Sequence, residues 1–407
     1  MHHEVRHITG GVDTHGEVHV AAAIDSTAKI LATESFPATP SGYRRLLRWL
    51  RRHGEVATVG VEGTGSFGAG LARYLAGEGV TVIEVNRPDR QRRRRRGKSD
   101  TVDAEAAARA ALSGDATGVP KSADGRVEAI RVLRLARRSA IKARTQASNQ
   151  IRDLIVTAPD GLRSRLRALS TDQRVAACAR FRPGEFDEPV GATKAALRTL
   201  AVRHQQLSNE IAALDDQLAQ LCAATNPALL AAPGVGPEVA ATLLSTAGDN
   251  PNRMRTEASF AALCGASPVE ASSGKIARHR LNTGGDRQAN NALWRIVLVR
   301  MSSDPRTQDY LKRRTLEGKS KKEIIRCLKR HIAREMFKLL TNPPAVPQGA
   351  DLRASRTQAG LTLTDAAEAL GTSINTISRL ERGIRHDAEL ATRYQLWLQP
   401  QPRPQAA

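Results

Sequence analysis

The spacing of apolar residues changes character once along this chain, and that change bounds the fold. In the first hundred residues apolar positions come in short runs, His7–Val12, Val18–Ile24 and Ile30–Phe36, separated by turn signals as in an antiparallel meander. Ser41–His53 carries leucines at helical spacing, Ala57–Glu62 is a buried-strand run, Leu71–Leu75 is helical again, and Val80–Val85 is a second apolar strand. An alanine-rich helix is predicted over Asp100–Leu112. From about Arg126 leucine, isoleucine and alanine recur every three or four residues, in Val127–Ile155 and again in Thr193–Leu221, with a more irregular Pro159–Pro189 between them. The expectation is an α/β domain followed by mostly α-helical domains. The two long helices have a coiled-coil-like pattern, a common dimerising device.

These shifts divide the chain into an α/β domain at 1–120, a helical, coiled-coil segment at 121–225 and a third region at 226–342. A linker at 343–350 is marked by Pro343, Pro344, Pro347 and Gly349, and a compact set of short helices fills 351–400. The formal charge of +21 favours a polyanionic partner, with nucleic acid the natural candidate. Aromatics make up only 3%, which argues against a reader that stacks every base of a single strand on a ring. Cys178, Cys222, Cys264 and Cys327 stand singly, so neither a zinc finger nor a disulfide framework is predicted. The opening MHHEVRHITGGVD lacks an apolar signal core and no stretch has the length of a membrane span, so a cytoplasmic or nucleoid-associated protein is expected.

Four carboxylates stand out. Asp13 closes the first strand in GVDTH and Glu62 closes a later one in GVEGTG, and strand ends of α/β sheets gather ligands. Asp100 and Asp103, three apart in SDTVDAEAAA, project from one face of a helix. If the four converge, their mutual repulsion calls for a cation, with Mg²⁺ or Mn²⁺ the simple answer for oxygen ligands. Two such ions stabilise the attacking and leaving oxygens of an in-line phosphoryl displacement. The plain structural alternatives are a turn-forming Asp13 and an Asp100 that caps its helix. The run Arg92, Arg93, Arg94, Arg95 and Arg96, just upstream of Asp100, would bring phosphate close to the carboxylates.

Leu229–Leu244 has the form of a helix-hairpin-helix. Its turn, Pro233-Gly234-Val235-Gly236, would let backbone N–H groups approach a DNA phosphate, Gly234 and Gly236 leaving room. Downstream, Ser272-Ser273-Gly274 is followed by Lys275, Arg278, His279 and Arg280. Hydroxyls in such a cationic loop can attack a phosphodiester, although serines in glycine turns are common.

GVDTH, VEGTG, KSDTVDA, the PGVG hairpin and the block GASPVEASSGK…RHRLNTGGDRQANNAL together resemble the IS110-type insertion-sequence transposases, over about Ile8 to Leu340 and in that family's order. The resemblance implies an RNase H-like (RuvC-like) N-terminal domain with a DEDD metal site at Asp13, Glu62, Asp100 and Asp103. It implies a coiled-coil dimerisation segment and a transposase domain whose nucleophilic serine falls at Ser272, with Ser273 the alternative. It further implies a covalent phosphoserine intermediate, a homodimer or tetramer acting on element ends and target DNA, and a structured guide RNA encoded by the element. The basic stretches Arg87–Lys98 and Arg126–Arg152 are candidates for binding that RNA.

The tail from Ser355 to Gly383 departs from the usual ending of that family and resembles a Cro/repressor-type helix-turn-helix. Ala366, Ala367 and Leu370 would pack the first helix, Gly371 turn the chain, and Ile377 and Leu380 face inward. Ser373, Asn375, Thr376 and Arg379 would then face a major groove. Two other functions fit parts of the sequence: a RuvC-like metal-dependent junction nuclease in which water attacks, and a non-catalytic regulator driven by the helix-turn-helix.

Overall fold

A computed structural model of the protein describes residues 6–85, 99–273 and 279–399. The chain forms two compact units: 1–125 with Ala247–Arg255, and Arg126–Thr246 with 256–407.

The first unit is a five-stranded sheet with helices on both faces. Its strands are β1 (His7–Thr14), β2 (Val18–Asp25), β3 (Ile30–Pro37), β4 (Glu55–Glu62) and β5 (Thr81–Val85), in the order β3-β2-β1-β4-β5. The β1–β2 and β2–β3 pairings are antiparallel, while β4 lies parallel to both β1 and β5. This is the RNase H-like arrangement, a mixed sheet ahead of a largely helical remainder. Alternation along the strands divides the residues between two layers. Ile8, Val12, Ala21, Ala23, Val59 and Val61 face α1 (Pro40–His53) and α2 (Ala69–Gly77), meeting Leu46, Leu47, Leu50, Leu71 and Leu75 in the main core. The opposite layer, with Val20 and Ala22, carries α3 (Asp100–Ser113) through Ala104.

The segment Ala247–Arg255, which a boundary at residue 226 places with the third region, packs in this first unit. Asn250 fastens it there, accepting from the Ser122 backbone N–H at 3.1 Å and donating to the Pro120 carbonyl at 3.0 Å.

In the second unit α4 (Arg126–Val156) and α7 (Pro189–Thr225) pair antiparallel. Arg126 at the start of α4 donates to the Ala224 carbonyl at the end of α7, while Ile151 and Ile155 share a core with Leu197 and Ala201. The stretch expected to be irregular forms α5 (Asp160–Arg167) and α6 (Thr171–Ala179), whose Leu162, Leu166 and Val175 close that core. A capping box starts α6: Ser170 accepts from the Gln173 N–H and Gln173 accepts from the Ser170 N–H.

Next come α8 (Pro227–Ala231), α9 (Pro237–Ala247) and α10 (Glu257–Leu263), then a two-stranded hairpin of β6 (Val269–Glu270) and β7 (His279–Arg280). Helices α11 (Arg287–Ser303), α12 (Pro305–Leu316) and α13 (Lys321–Thr341) follow. The tail is α14 (Gly349–Gln358), α15 (Leu363–Ala369), α16 (Ile374–Glu381) and α17 (Ala388–Leu398) around Ala366, Leu370, Ile377, Leu380 and Tyr394. No helix among the described residues is long and apolar enough to cross a membrane.

Candidate metal centre and nucleic-acid elements

The carboxylate site rests on a close approach between α3 and the sheet. Gly11 of β1 and Gly60 of β4 are register partners, and each lies two residues before an acidic strand end, so all four residues belong to the α3 face. A Cβ on Gly11 would lie 2.1 Å from the Ala108 backbone nitrogen and 2.2 Å from the Ala104 carbonyl oxygen. One on Gly60 would lie 2.5 Å from the Ala107 carbonyl oxygen. The two glycines and the alanines of α3 thus let the helix backbone rest on the strands, which brings the first turn of α3 to the end of β1.

At that end Asp13 is buried and Asp103 is buried, while Asp100 at the tip of the helix is exposed. Asp100 does not cap its helix: Ser99 does, accepting from the Val102 N–H. His15 Nε2 lies 3.2 Å from Asp13 Oδ2 and 3.4 Å from Asp100 Oδ1. One ligating atom from each of Asp13, His15 and Asp100 lies within 4.8 Å of the others. Burial, together with the negative charges of Asp103 and Asp100, raises the Asp13 carboxyl above its ordinary value, against the opposing influence of His15.

Glu62 reaches the same strand end through its backbone, its carbonyl accepting from Thr14 Oγ1 at 2.8 Å, but it takes no part in the three-residue group. The structure therefore gathers Asp13, Asp100 and Asp103 and adds His15, which sequence reasoning passed over. The signal was present in GVDTH, where His15 stands two residues beyond Asp13. The donor set fits a divalent cation, because a buried carboxylate crowded by like charge is the environment that such an ion relieves.

The remaining predicted residues fall in several places. Arg92 to Arg96, Lys275 and Arg278 lie outside the described residues. Ser272 and Ser273 are exposed just beyond β6, and Arg280 is exposed in β7. In the hairpin turn Gly234 has φ +78°, and a Cβ there would sit 3.3 Å from the Ile296 carbonyl oxygen of α11. Backbone conformation and packing thus call for glycine at this position, whereas Gly236 faces open space. Arg300 anchors the turn from below, donating to the Pro233 carbonyl at 2.8 Å and pairing bidentately with Glu335 at 2.7 and 2.8 Å.

The basic stretch on α4 is only partly a surface. Arg134 is buried and donates to Thr242, Gln288 and Glu238, and Arg137 pairs with Asp215 and Glu238. Arg138, Lys142 and Arg152 remain exposed. In the tail Ser373 caps α16 by accepting from the Thr376 N–H, and the two hydroxyls lie 2.9 Å apart, so both are engaged in the cap. Asn375 and Arg379 stand exposed on the outer side of α16, while Ile377 and Leu380 are buried as expected.

An RNase H-like sheet with an acidic cluster at the end of its first strand, followed by a hairpin-bearing helical region, defines a nucleic-acid-processing class of fold. Comparison with known families narrows this. The IS110-type DEDD transposase model matches residues 10–158, the IS116/IS110/IS902 transposase model matches residues 226–312, and a helix-turn-helix domain matches 349–393. The first two take in more than half of the chain in one order, and the chain belongs to the IS110 transposase family. It is also similar to an insertion element IS110 protein of 43.6 kDa from Streptomyces coelicolor, 29% identical over 170 residues. That match covers 38% of this chain and 42% of the relative.

Proposed function

We propose that this protein is the transposase of an IS110-type insertion sequence, cutting and rejoining DNA by attack of a serine hydroxyl assisted by a divalent metal. The observation that carries the reading is the convergence of Asp13, His15 and Asp100 at the end of β1, with the charge of Asp103 acting on Asp13. Asp13, Asp100 and Asp103, with Glu62 as the fourth carboxylate, would hold Mg²⁺ or Mn²⁺, which supplies charge neutralisation at the scissile phosphate when bound.

Ser272 is the preferred nucleophile and Ser273 the alternative. The Oγ–P bond forms as the P–O bond to one deoxyribose breaks; the serine proton leaves to a base and the departing oxygen takes up a proton. Attack by a hydroxyl of another strand on the phosphoserine reverses these changes and rejoins the DNA, with no external energy source. The positive charge of Arg280, on the strand paired with β6 just ahead of the serines, suits the extra negative charge of the pentacovalent phosphate.

The domain limits read from the sequence go with this function: metal binding at 1–120, dimerisation at 121–225, serine chemistry at 226–342 and duplex reading at 351–400. Joining two element ends to one target calls for a homodimer or tetramer. An element-encoded guide RNA would select the sequences, with exposed Arg138, Lys142 and Arg152 among its contacts.

The test is to trap a covalent protein–DNA adduct on element-end DNA with Mg²⁺ or Mn²⁺. The reading expects an adduct that is lost in Ser272→Ala, kept in Ser273→Ala, and lost in Asp13→Ala and Glu62→Ala. An adduct lost only in Ser273→Ala moves the nucleophile by one residue. Hydrolysis without an adduct supports a junction nuclease, and rearrangement that survives Asp13→Ala and Glu62→Ala refutes both metal-dependent readings.

A further inference from the structure

A cavity of about 670 Å³ opens in the second unit among the Gly265–Pro268 loop, β7, α12 and α13. That volume is in the range of pockets for single small ligands. Its charge is one-sided. Arg314, Lys319, Arg326, Lys329 and Arg330 line it, against one carboxylate among the described residues, Glu323, whose oxygen already serves the Ser320 capping box at 2.7 and 2.9 Å. Lys329 is held by Asn290 at 2.9 Å and Arg314 by Glu317, whereas Lys319 and Arg326 stand exposed at the rim.

Arg314 carries a second signal. Its Nε is buried and meets no hydrogen-bond acceptor among the described residues. Such a donor destabilises the site unless an acceptor arrives. The lining also includes an aromatic group. Tyr310 lies edge-on to His331 with ring centroids 5.7 Å apart, and the Arg313 and Arg314 guanidinium carbons lie 5.4 and 5.9 Å from the Tyr310 centroid. Pro268 and the exposed Leu281 add apolar surface. The same β6–β7 hairpin contributes His279 to the cavity wall and carries Ser272 two residues beyond Glu270.

We propose that this cavity is a nucleotide subsite of the transposase domain. It accepts one unstacked nucleotide of the DNA strand next to the scissile phosphate, with the base against Tyr310, Pro268 and Leu281 and its phosphate against Arg314, Lys319 and Arg326. This deepens the transposase reading and rests on it. Removing one base from the stack is costly in a paired duplex and least so where pairing is already broken, so the subsite distinguishes a bulged duplex from a paired one. Cations on an open surface would not, since their phosphate contacts are indifferent to pairing, whereas those at the cavity serve only the phosphate of a nucleotide that has entered it.

The experiment uses the full chain in EDTA, so that binding is read without cleavage. The probes are a DNA duplex with 2-aminopurine in a one-nucleotide bulge, the same duplex fully paired, and a bulged RNA duplex of the same sequence. The bulged DNA is expected to bind about tenfold tighter than the paired DNA, with a change in 2-aminopurine fluorescence. Lys319→Ala/Arg326→Ala, at exposed positions that leave the fold intact, removes that preference and leaves paired-duplex affinity within about twofold. Tyr310→Leu, checked by its melting curve, abolishes the fluorescence change. Equal weakening on both DNA probes, no preference for the bulge, or tighter binding of the RNA overturns the subsite. Those outcomes leave the transposase reading standing, because the serine adduct tests that separately.

Discussion

Substituting Gly11 tests whether the seating of α3 builds the metal centre. In Gly11→Ala the new Cβ meets two backbone atoms, at 2.1 and 2.2 Å, where ordinary contact begins near 3.4 Å. No side chain can swing away, so α3 must withdraw by about 1 Å or the strand must buckle. Overpacking of this kind costs about 1–3 kcal/mol. Displacement of Asp100 and Asp103 by about 1 Å relative to Asp13 costs on the order of 100-fold in activity.

The control is one residue away on the other face. In Gly10→Ala the Cβ meets Leu50 and Val59 side-chain atoms at 3.1–3.2 Å, which can yield by a few tenths of an ångström. Thermal melting and adduct formation, measured for both variants side by side, separate the faces. Gly11→Ala should lose most adduct and melt lower, and cutting Ala108 to glycine should not rescue it, because the clash is with backbone. If Gly11→Ala matches wild type in both measurements, or falls no further than Gly10→Ala, the seating argument is wrong.

Other consequences follow from the charges. Because the Asp13 carboxyl is raised in the folded protein, ionising it weakens the fold as pH rises through its folded value. Below its ordinary 3.8 both states are protonated and that effect is absent. Asp13→Asn should therefore melt higher than wild type at neutral pH without divalent cation, the gain vanishing in acid. Mn²⁺ or Mg²⁺ should raise the melting temperature of wild type alone, and an equal rise in Asp13→Asn would contradict the ligand assignment.

In the tail Arg356 pairs with buried Glu381 at 2.7 and 3.0 Å, and Tyr394 donates to Glu381 at 2.7 Å. Burial opposes ionisation of Glu381, but these partners outweigh it and lower its pKa, so this stabilisation is present above its ordinary 4.5 and lost as pH falls through the lower folded value. Glu381→Ala strips the half-buried Arg356 guanidinium of its carboxylate, leaving it the Leu361 carbonyl, at a cost of about 1–3 kcal/mol. Hydrogen exchange should rise over α14–α17 and stay unchanged in the first unit. Arg379→Ala should weaken the preferred duplex by about 1–3 kcal/mol over a scrambled one, and equal weakening on both would make Arg379 a phosphate contact only.

The strand runs and carboxylates were legible because each is written locally, in alternation and in the residue that closes a strand. What brings them together was not. Gly11 and Gly60 read as ordinary strand glycines until the β1–β4 register pairs them, and only then does an alanine-rich helix become one whose backbone must touch a sheet. Long-range pairing also changed the reading of charge. Arg134 and Arg137 look like part of a solvated basic stretch on α4, yet α7 and α9 supply Asp215 and Glu238 to neutralise them. Basic residues in this chain thus do two kinds of work: some fasten helices to one another, and others remain available to a polyanion. Net charge cannot separate the two, and neither can periodicity, since both kinds share one helix. The distinction depends on which carboxylates return through the fold, so a charge-reversal scan of exposed Arg138 and Arg152 should change nucleic-acid affinity without lowering the melting temperature. The same change at Arg137 should do the reverse.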